Sequence, residues 1–264
     1  IRSADSRGKK HALSRGIQMA VKENILLTDA DCIPNSAEWI LRMSSHFDKG
    51  FEIVLGYGAY RKIPGSMLNK LIRFETLQSA KQYFSDALRG NPYMGVGRNL
   101  AYKKGLFERT QGFEAHIDVR SGDDDLFVCE AATSQNTIIC DHPNAFTVSE
   151  PEHLFSSWIR QKRRHITTAR HYKKIQKIML GSFYVSQLGF YAMAVALLIL
   201  DIAPTVVVSL ILMRFAFFYL SIYGASKKLR EKDLSPLAPL YEISIIFMQL
   251  YVFVANLLSP PKQW

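Results

Sequence analysis

The chain has 264 residues, 48% of them hydrophobic and 12% aromatic, which is enough apolar content for a sizeable core and excludes a disordered tail. Its formal charge of +10 is unevenly placed: residues 1–157 carry 19 basic and 19 acidic side chains, residues 158–177 carry 8 basic and no acidic ones, and the rest carry 6 against 4. A basic block directly ahead of long apolar segments marks a membrane-surface flank and argues against a nucleic-acid partner.

The sequence opens on Ile1 without an initiator Met or a signal-like apolar segment, so the expectation is a chain that starts inside its catalytic domain. Leu13, Ile17, Ala20 and Val21 share the spacing of one helix face over residues 8–21. The apolar run Ile25-Leu26-Leu27 follows and leads into Thr28-Asp29-Ala30-Asp31-Cys32. It reads as a strand buried on both faces whose C-terminal end emerges at the rim of a sheet. On one continuous strand Asp29 and Asp31 point the same way, and two hard oxygen ligands converging on one spot suit Mg²⁺ or Mn²⁺. The alternative is a turn and helix cap ahead of a helix over residues 38–47.

A second strand over residues 51–57 gives a βαβ rhythm, and residues 67–88 trace a long amphipathic helix ended by Gly90-Asn91-Pro92. Residues 95–99, Gly-Val-Gly-Arg-Asn, read either as the lining of a sugar or phosphate site, with Gly97, Arg98 and Asn99 as its members, or as a plain turn. Ser121 is a candidate N-cap for a helix opened by Asp123-Asp124-Asp125. Three consecutive carboxylates exceed what a helix dipole accounts for, so this is a second candidate site. Cys32, Cys129 and Cys140 are odd in number and lack metal-ligand spacing, which reads as reduced thiols in a core.

From residue 153 to 177, Leu154, Phe155, Trp158, Ile159, Ile166 and Tyr172 alternate with a basic set in the pattern of an interfacial amphipathic helix. Segments at about 178–200, 205–224 and 237–258 are each long enough to span a bilayer, since a helix needs ~20 apolar residues for that. The basic loops lie on one side of this three-helix bundle, so the positive-inside rule places residues 1–177 in the cytoplasm of a multi-pass inner-membrane protein, with the 260–264 tail outside. Arg214 and Glu242 fall within the second and third segments, where charges are rarely idle; a direct pair requires Arg214 to snorkel along its helix.

The order of these pieces carries a resemblance. TDADC at the end of an apolar strand, then MGVGRN, SGDDDLF, Gln161-Lys162-Arg163-Arg164-His165 and finally membrane helices resembles the membrane-bound, processive-type and ceramide-glucosyltransferase-like branch of the family-2 glycosyltransferases. The resemblance covers about residues 8–175. It implies a partial GT-A-type (Rossmann-like) mixed α/β sheet flanked by helices over residues 1–152, the motif-bearing helix over 153–177, and a transmembrane bundle over 178–264. It also implies an inverting transfer from a nucleotide-sugar donor, by family habit a UDP-sugar, to a lipid or glycan acceptor at the bilayer. By the same resemblance Asp31 is a ligand of Mg²⁺ or Mn²⁺ and Asp29 its partner near the nucleotide. Asp123 is the general base, with Asp124 the alternative, and Gln161 and Arg164 close the donor–acceptor site. His165 stands where that family usually has Trp, and the nucleotide-binding portion that precedes the metal strand in the family is absent from this sequence. Two rivals remain: a haloacid-dehalogenase-like metal-dependent phosphohydrolase, which shares the Asp-x-Asp, and a non-catalytic membrane transport or scaffold subunit.

Overall fold

The computed structural model describes residues 8–119 and 121–259, so the expectation for the 260–264 tail lies outside the described residues. The chain forms two compact units, one ending at Tyr172 and the other beginning at Lys173. In the first unit the elements run α1 (Lys9–Met19), β1 (Asn24–Leu27), β2 (Ile33–Pro34), α2 (Trp39–Ser44), β3 (Ile53–Gly56), β4 (Gly58–Tyr60), α3 (Met67–Leu88), β5 (Leu100–Lys103), α4 (Lys104–Arg109), α5 (Asp125–Ala131), β6 (Thr137–Cys140), β7 (Thr147–Ser149) and α6 (Phe155–His165). A four-stranded mixed sheet has the order β1-β5-β3-β6, with β5 antiparallel to both neighbours and β3 parallel to β6. A smaller sheet, β2-β7-β4, pairs β7 antiparallel to β2 and parallel to β4. This is an α/β architecture of mixed sheets flanked by helices.

The core forms where these layers meet. Val54 and Ala101 on adjacent strands pack with Met43 and Phe47 from the α2 side and with Cys140 and Ala145, all buried. A second, aromatic cluster lies under the acidic segment: Tyr102 stacks on Phe107 and packs against Phe127, while Phe113 meets Phe107 edge-on with centroids 5.0 Å apart. Burial of Leu126, Phe127 and Val128 draws α5 into this cluster and fixes the carboxylates at its N-terminus.

Three local readings need correction. β1 is an edge strand in which Ile25 is buried but Asn24 is exposed, and it ends before Asp29. Asp29 instead opens a turn closed by the Cys32 N–H donating to the Asp29 carbonyl at 3.1 Å, so strand alternation does not govern where Asp29 and Asp31 point. The cap of α5 is Asp124, whose Oδ1 accepts the Asp125 N–H at 2.8 Å, and not Ser121. The segment 153–177 is not one helix: α6 stops at His165 and a 3₁₀ turn, Thr168–His171, follows. Within it Trp158, Ile159 and Tyr172 are buried in protein, leaving Leu154 and Phe155 as exposed apolar side chains.

The second unit comprises α7 (Lys174–Ile199), α8 (Pro204–Lys228) and α9 (Ala238–Leu258). Three helical stretches, Lys174–Ile199, Pro204–Lys228 and Lys232–Leu258, are long and apolar enough to cross a membrane, with hydropathies of 1.6, 2.1 and 1.7. They extend beyond the apolar segments because the charged flanks continue the helices, as with Lys174, Lys177, Lys227 and Lys228. Inside this unit Arg214 and Glu242 pair directly through two 2.8 Å bonds. Tyr191 and Gln187 donate to the same carboxylate at 2.9 and 3.3 Å.

Candidate active site

The glycine loop between α3 and β5 sets the frame of the site. Asn99 is completely buried; its amide donates to the Tyr57 carbonyl at 3.0 Å and the Ala145 carbonyl at 2.7 Å, and its oxygen accepts the Trp39 indole N–H at 3.1 Å. With its polar capacity committed to bracing the two sheets, Asn99 is not a ligand-lining residue, which corrects that expectation. Arg98 Nη1 donates to the Ala59 carbonyl at 3.1 Å and Ser149 Oγ at 2.9 Å, and its guanidinium lies 4.2 Å from the Tyr60 ring centroid. The Arg98 carbonyl accepts from Thr28 Oγ1 at 3.1 Å, which holds the chain in place immediately before Asp29.

Gly97 joins this loop to the acidic segment: its N–H donates to Asp124 Oδ2 at 2.7 Å. A Cβ at Gly97 would stand 3.3 Å from that oxygen, a tight contact that would press on the Asp124 carboxylate. Gly122, at φ +91°, supplies the turn that starts the acidic run.

The three consecutive carboxylates then divide. Asp124 Oδ2 takes the Gly97 N–H and Oδ1 takes the Asp125 N–H. Burial, followed by the charges of Asp125 and Asp123, pushes Asp124 up to about 7 against those two bonds. Asp125 Oδ2 accepts the hydroxyls of Thr168 and Tyr172, tying α5 to the turn that follows α6. Asp123, with a side chain only 9% exposed, faces Lys9, whose Nζ lies 2.9 Å from Asp123 Oδ2 and 3.0 Å from Asp29 Oδ1.

The two acidic motifs thus meet at one nitrogen. Their carboxylate oxygens are at most the sum of those two legs apart, about 6 Å. Burial pulls the Lys9 ammonium down, but Asp123 and Asp29 more than offset it and hold the group above the usual lysine range. Nothing in the motif reading pointed to Lys9. The available signal was a Gly-Lys-Lys sequence at the first turn of the helix that feeds the acidic strand.

The neighbouring Lys10 is buried and donates to His116 Nδ1 at 2.7 Å and to the His116 carbonyl, so it anchors α1 to the segment ahead of Asp123. Burial, then the Lys10 charge, pushes His116 down to about 4.

Asp31 lies exposed on the turn beside Asp29, with its Oδ1 3.9 Å from Cys32 Sγ. Among the described residues no group of three or more His, Cys, Asp or Glu side chains is placed to hold a metal ion. Gln161 and Arg164 are half-buried on α6, which Lys162 fastens to Glu75 of α3 by a 2.5 Å ion pair. His165 ends α6. Desolvation, followed by the charges of Lys162, Arg164, Arg98 and Lys9, pushes its pKa down to about 3.

No protein-family model matches the sequence, and no curated protein matches it. Among solved structures the chain is similar to the mannosyltransferase PcManGT from Pyrobaculum calidifontis in complex with GDP-Man and Mn²⁺, at 19% sequence identity and a TM-score of 0.49, over 92% of this chain and 68% of that one.

Proposed function

We propose that this chain is an inverting, metal-dependent glycosyltransferase that moves a sugar from a nucleotide-sugar donor to a membrane-associated acceptor. One observation carries the reading: Asp29 and Asp123, from distant parts of the sequence, meet at the same cationic nitrogen. That contact brings the Asp-x-Asp turn, with Asp29 and the exposed Asp31, beside the acidic run, so a metal-binding turn and a proton acceptor would share one site. Mg²⁺ typically binds through one or two protein carboxylates and completes its shell with water and substrate phosphate, so an open set fits better than a closed cage. Asp29 and Asp31 would hold Mg²⁺ or Mn²⁺, which when bound neutralises charge developing on the diphosphate leaving group.

The remaining work falls to the chain's own residues. Asp123 accepts the proton of the attacking hydroxyl, a role worth about 10² to 10⁴ in rate for a positioned base. Asp124, although pushed into a pKa range useful for a base, has both oxygens engaged by backbone N–H groups and holds the glycine loop instead. Arg164, on the half-buried helix that also carries Gln161 and His165, adds positive charge toward the departing diphosphate. A single base with no separate nucleophile performs one in-line displacement, which inverts the anomeric centre.

The acceptor is a lipid or a membrane-bound glycan, and the three apolar helices anchor the catalytic unit to a bilayer. The basic residues Lys173, Lys174 and Lys177 at the start of α7, with Lys227 and Lys228 at the end of α8, support a cytoplasmic catalytic unit by the positive-inside rule. The test is a transfer assay with purified protein in detergent, using GDP-mannose and UDP-sugars with extracted lipid, scored alongside released inorganic phosphate. Metal-dependent appearance of a glycosylated lipid is expected. Phosphate release without sugar transfer would replace this reading with a phosphohydrolase.

A further inference from the structure

We infer that Arg98 is a phosphate seat: uncharged partners fix its guanidinium on the loop between the Asp-x-Asp turn and the acidic run, and its uncommitted edge takes phosphate oxygens. The inference deepens the glycosyltransferase reading, on which the identity of the phosphate compound rests.

The main chain decides where the residue stands. The Arg98 carbonyl accepts from Thr28 Oγ1 at 3.1 Å and from Thr147 Oγ1 at 2.9 Å, and Gly97 donates its N–H to Asp124 Oδ2 at 2.7 Å. Thr28 precedes Asp29 and Asp124 follows Asp123, so this loop is tied to a neighbour of each acidic motif.

The side chain is held as firmly, by groups that carry no charge. Nη1 donates to the Ala59 carbonyl at 3.1 Å and to Ser149 Oγ at 2.9 Å, and the Tyr60 ring centroid lies 4.2 Å from Cζ. A Cβ at Gly58 would stand 2.9 Å from Arg98 Cβ and 3.3 Å from Cζ, so glycine there lets the arginine lie against β4. These bonds use Nη1 and leave Nε and Nη2 without a hydrogen-bond partner among the described residues.

A counter-charge is what the arrangement lacks. Arg98 is half-buried and makes no ion pair among the described residues, whereas Arg61, just past β4, pairs with Glu150, just past β7, at 2.8 Å. Holding a partly desolvated cation without a counter-ion is costly, and an anionic ligand offsets that cost. Two parallel guanidinium N–H groups match the oxygens of a phosphate, and an edge immobilised beforehand gives up little freedom on binding one. Two compounds of the proposed reaction carry that chemistry: the diphosphate of a nucleotide sugar, and a phosphorylated lipid acceptor.

The experiment is phenylglyoxal modification of the full chain in neutral detergent micelles, with and without Mn²⁺, read by mass spectrometry of the peptide that carries Arg98. GDP and UDP are the donor probes, guanosine and uridine their phosphate-free controls, and dodecyl phosphate the probe for a lipid phosphate. Arg98 is expected to react in the free protein and to be protected by GDP or UDP and not by the nucleosides, while the exposed Arg61 reacts alike throughout. Protection by dodecyl phosphate alone keeps the seat and assigns it to the acceptor. Arg98→Gln is expected to weaken binding of the protecting compound by about tenfold or more, the loss of a charge-assisted bond, and Arg98→Lys by less because it keeps the charge. Wild-type affinity in Arg98→Gln, an Arg98 that no phosphate compound protects or that never reacts in the free protein, or equal protection of Arg61 each overturns the seat. None of these results touches sugar transfer by the wild-type protein, so the glycosyltransferase reading stands or falls on its own assay.

Discussion

The Tyr172 hydroxyl donates to Asp125 Oδ2 at 2.7 Å, so the last residue of the first unit is bonded to the first residue of α5, two positions past Asp123. Thr168 donates to the same oxygen at 2.5 Å, and all three residues are buried. Asp125→Ala leaves the buried Tyr172 hydroxyl without its acceptor and Thr168 with only the His165 carbonyl, and is expected to cost about 2 to 3 kcal/mol, whereas Tyr172→Phe removes one donor and costs about 1 kcal/mol. Chemical unfolding of the two variants checks this; Asp125→Ala as stable as wild type would mean that the clamp contributes nothing.

Asn99 gives a second stability prediction from the same kind of accounting. Asn99→Ala strands the Trp39 N–H and the Ala145 carbonyl and leaves the Tyr57 carbonyl with only the Thr147 N–H, at about 3 kcal/mol. A Cβ at Gly56 would lie 2.4 Å from Asn99 Cγ, so Gly56→Ala should displace the same side chain. The two losses are therefore expected to be strongly non-additive in a double-mutant cycle. Simple addition of the two effects would show that Gly56 and Asn99 act separately.

His116 predicts a pH dependence. Its imidazole is pushed down to about 4, so between about pH 6.5 and 4 the unfolded chain takes up a proton that the folded protein refuses. Stability from this group is full above the unfolded pKa and is lost as pH falls through that window, by up to about 3 kcal/mol. Unfolding midpoints measured across this range should fall toward acid in wild type and fall less in His116→Gln. Parallel pH profiles for the two proteins would contradict the assignment.

Much of this architecture was legible in the sequence, and the misses have physical causes. The long helix over residues 67–88 follows from periodicity, and the structure bears its bounds out; its cap, the Ser66 hydroxyl accepting the Asn69 N–H at 3.1 Å, comes from the structure. The three stretches long and apolar enough to cross a membrane follow from length and apolarity alone. What local pattern does not carry is long-range pairing. An apolar run such as Ile25-Leu26-Leu27 has the same local signal at the edge of a sheet as at its centre, because the partner strand, β5, is supplied from far along the chain. The division of labour among Asp123, Asp124 and Asp125 was hidden for the same reason. Lys9, Gly97 and Tyr172 select one carboxylate each, and none of them is a sequence neighbour of the acidic run. Asn99 read as a ligand because a polar residue beside glycines looks alike whether it faces a substrate or a carbonyl.

The bidentate Arg214–Glu242 pair predicts an asymmetry between single and double substitution. Glu242 is 1% exposed and Arg214 20%, and the guanidinium also packs near the rings of Phe190 and Tyr191. Glu242→Leu leaves an uncompensated cation among apolar helices and is expected to destabilise by about 3 to 5 kcal/mol, while Arg214→Met combined with Glu242→Leu recovers most of that loss. Thermal unfolding in detergent micelles distinguishes the outcomes. A double variant no more stable than the single one would mean that the pair itself, and not relief of a stranded charge, holds the helices.

The central claim is that the turn after β1 and the acidic run before α5 form one site in which Asp31 serves the donor and Asp123 serves the proton. Calorimetric titration of a nucleotide-sugar donor with Mn²⁺ into Asp31→Ala and Asp123→Asn, alongside turnover of each, tests it directly. Asp123→Asn is expected to bind donor nearly as wild type does and to lose turnover by about 10² or more, whereas Asp31→Ala weakens donor binding and its Mn²⁺ dependence together. Equal donor affinity in the two variants, or turnover retained by Asp123→Asn, would contradict the roles assigned to both carboxylates.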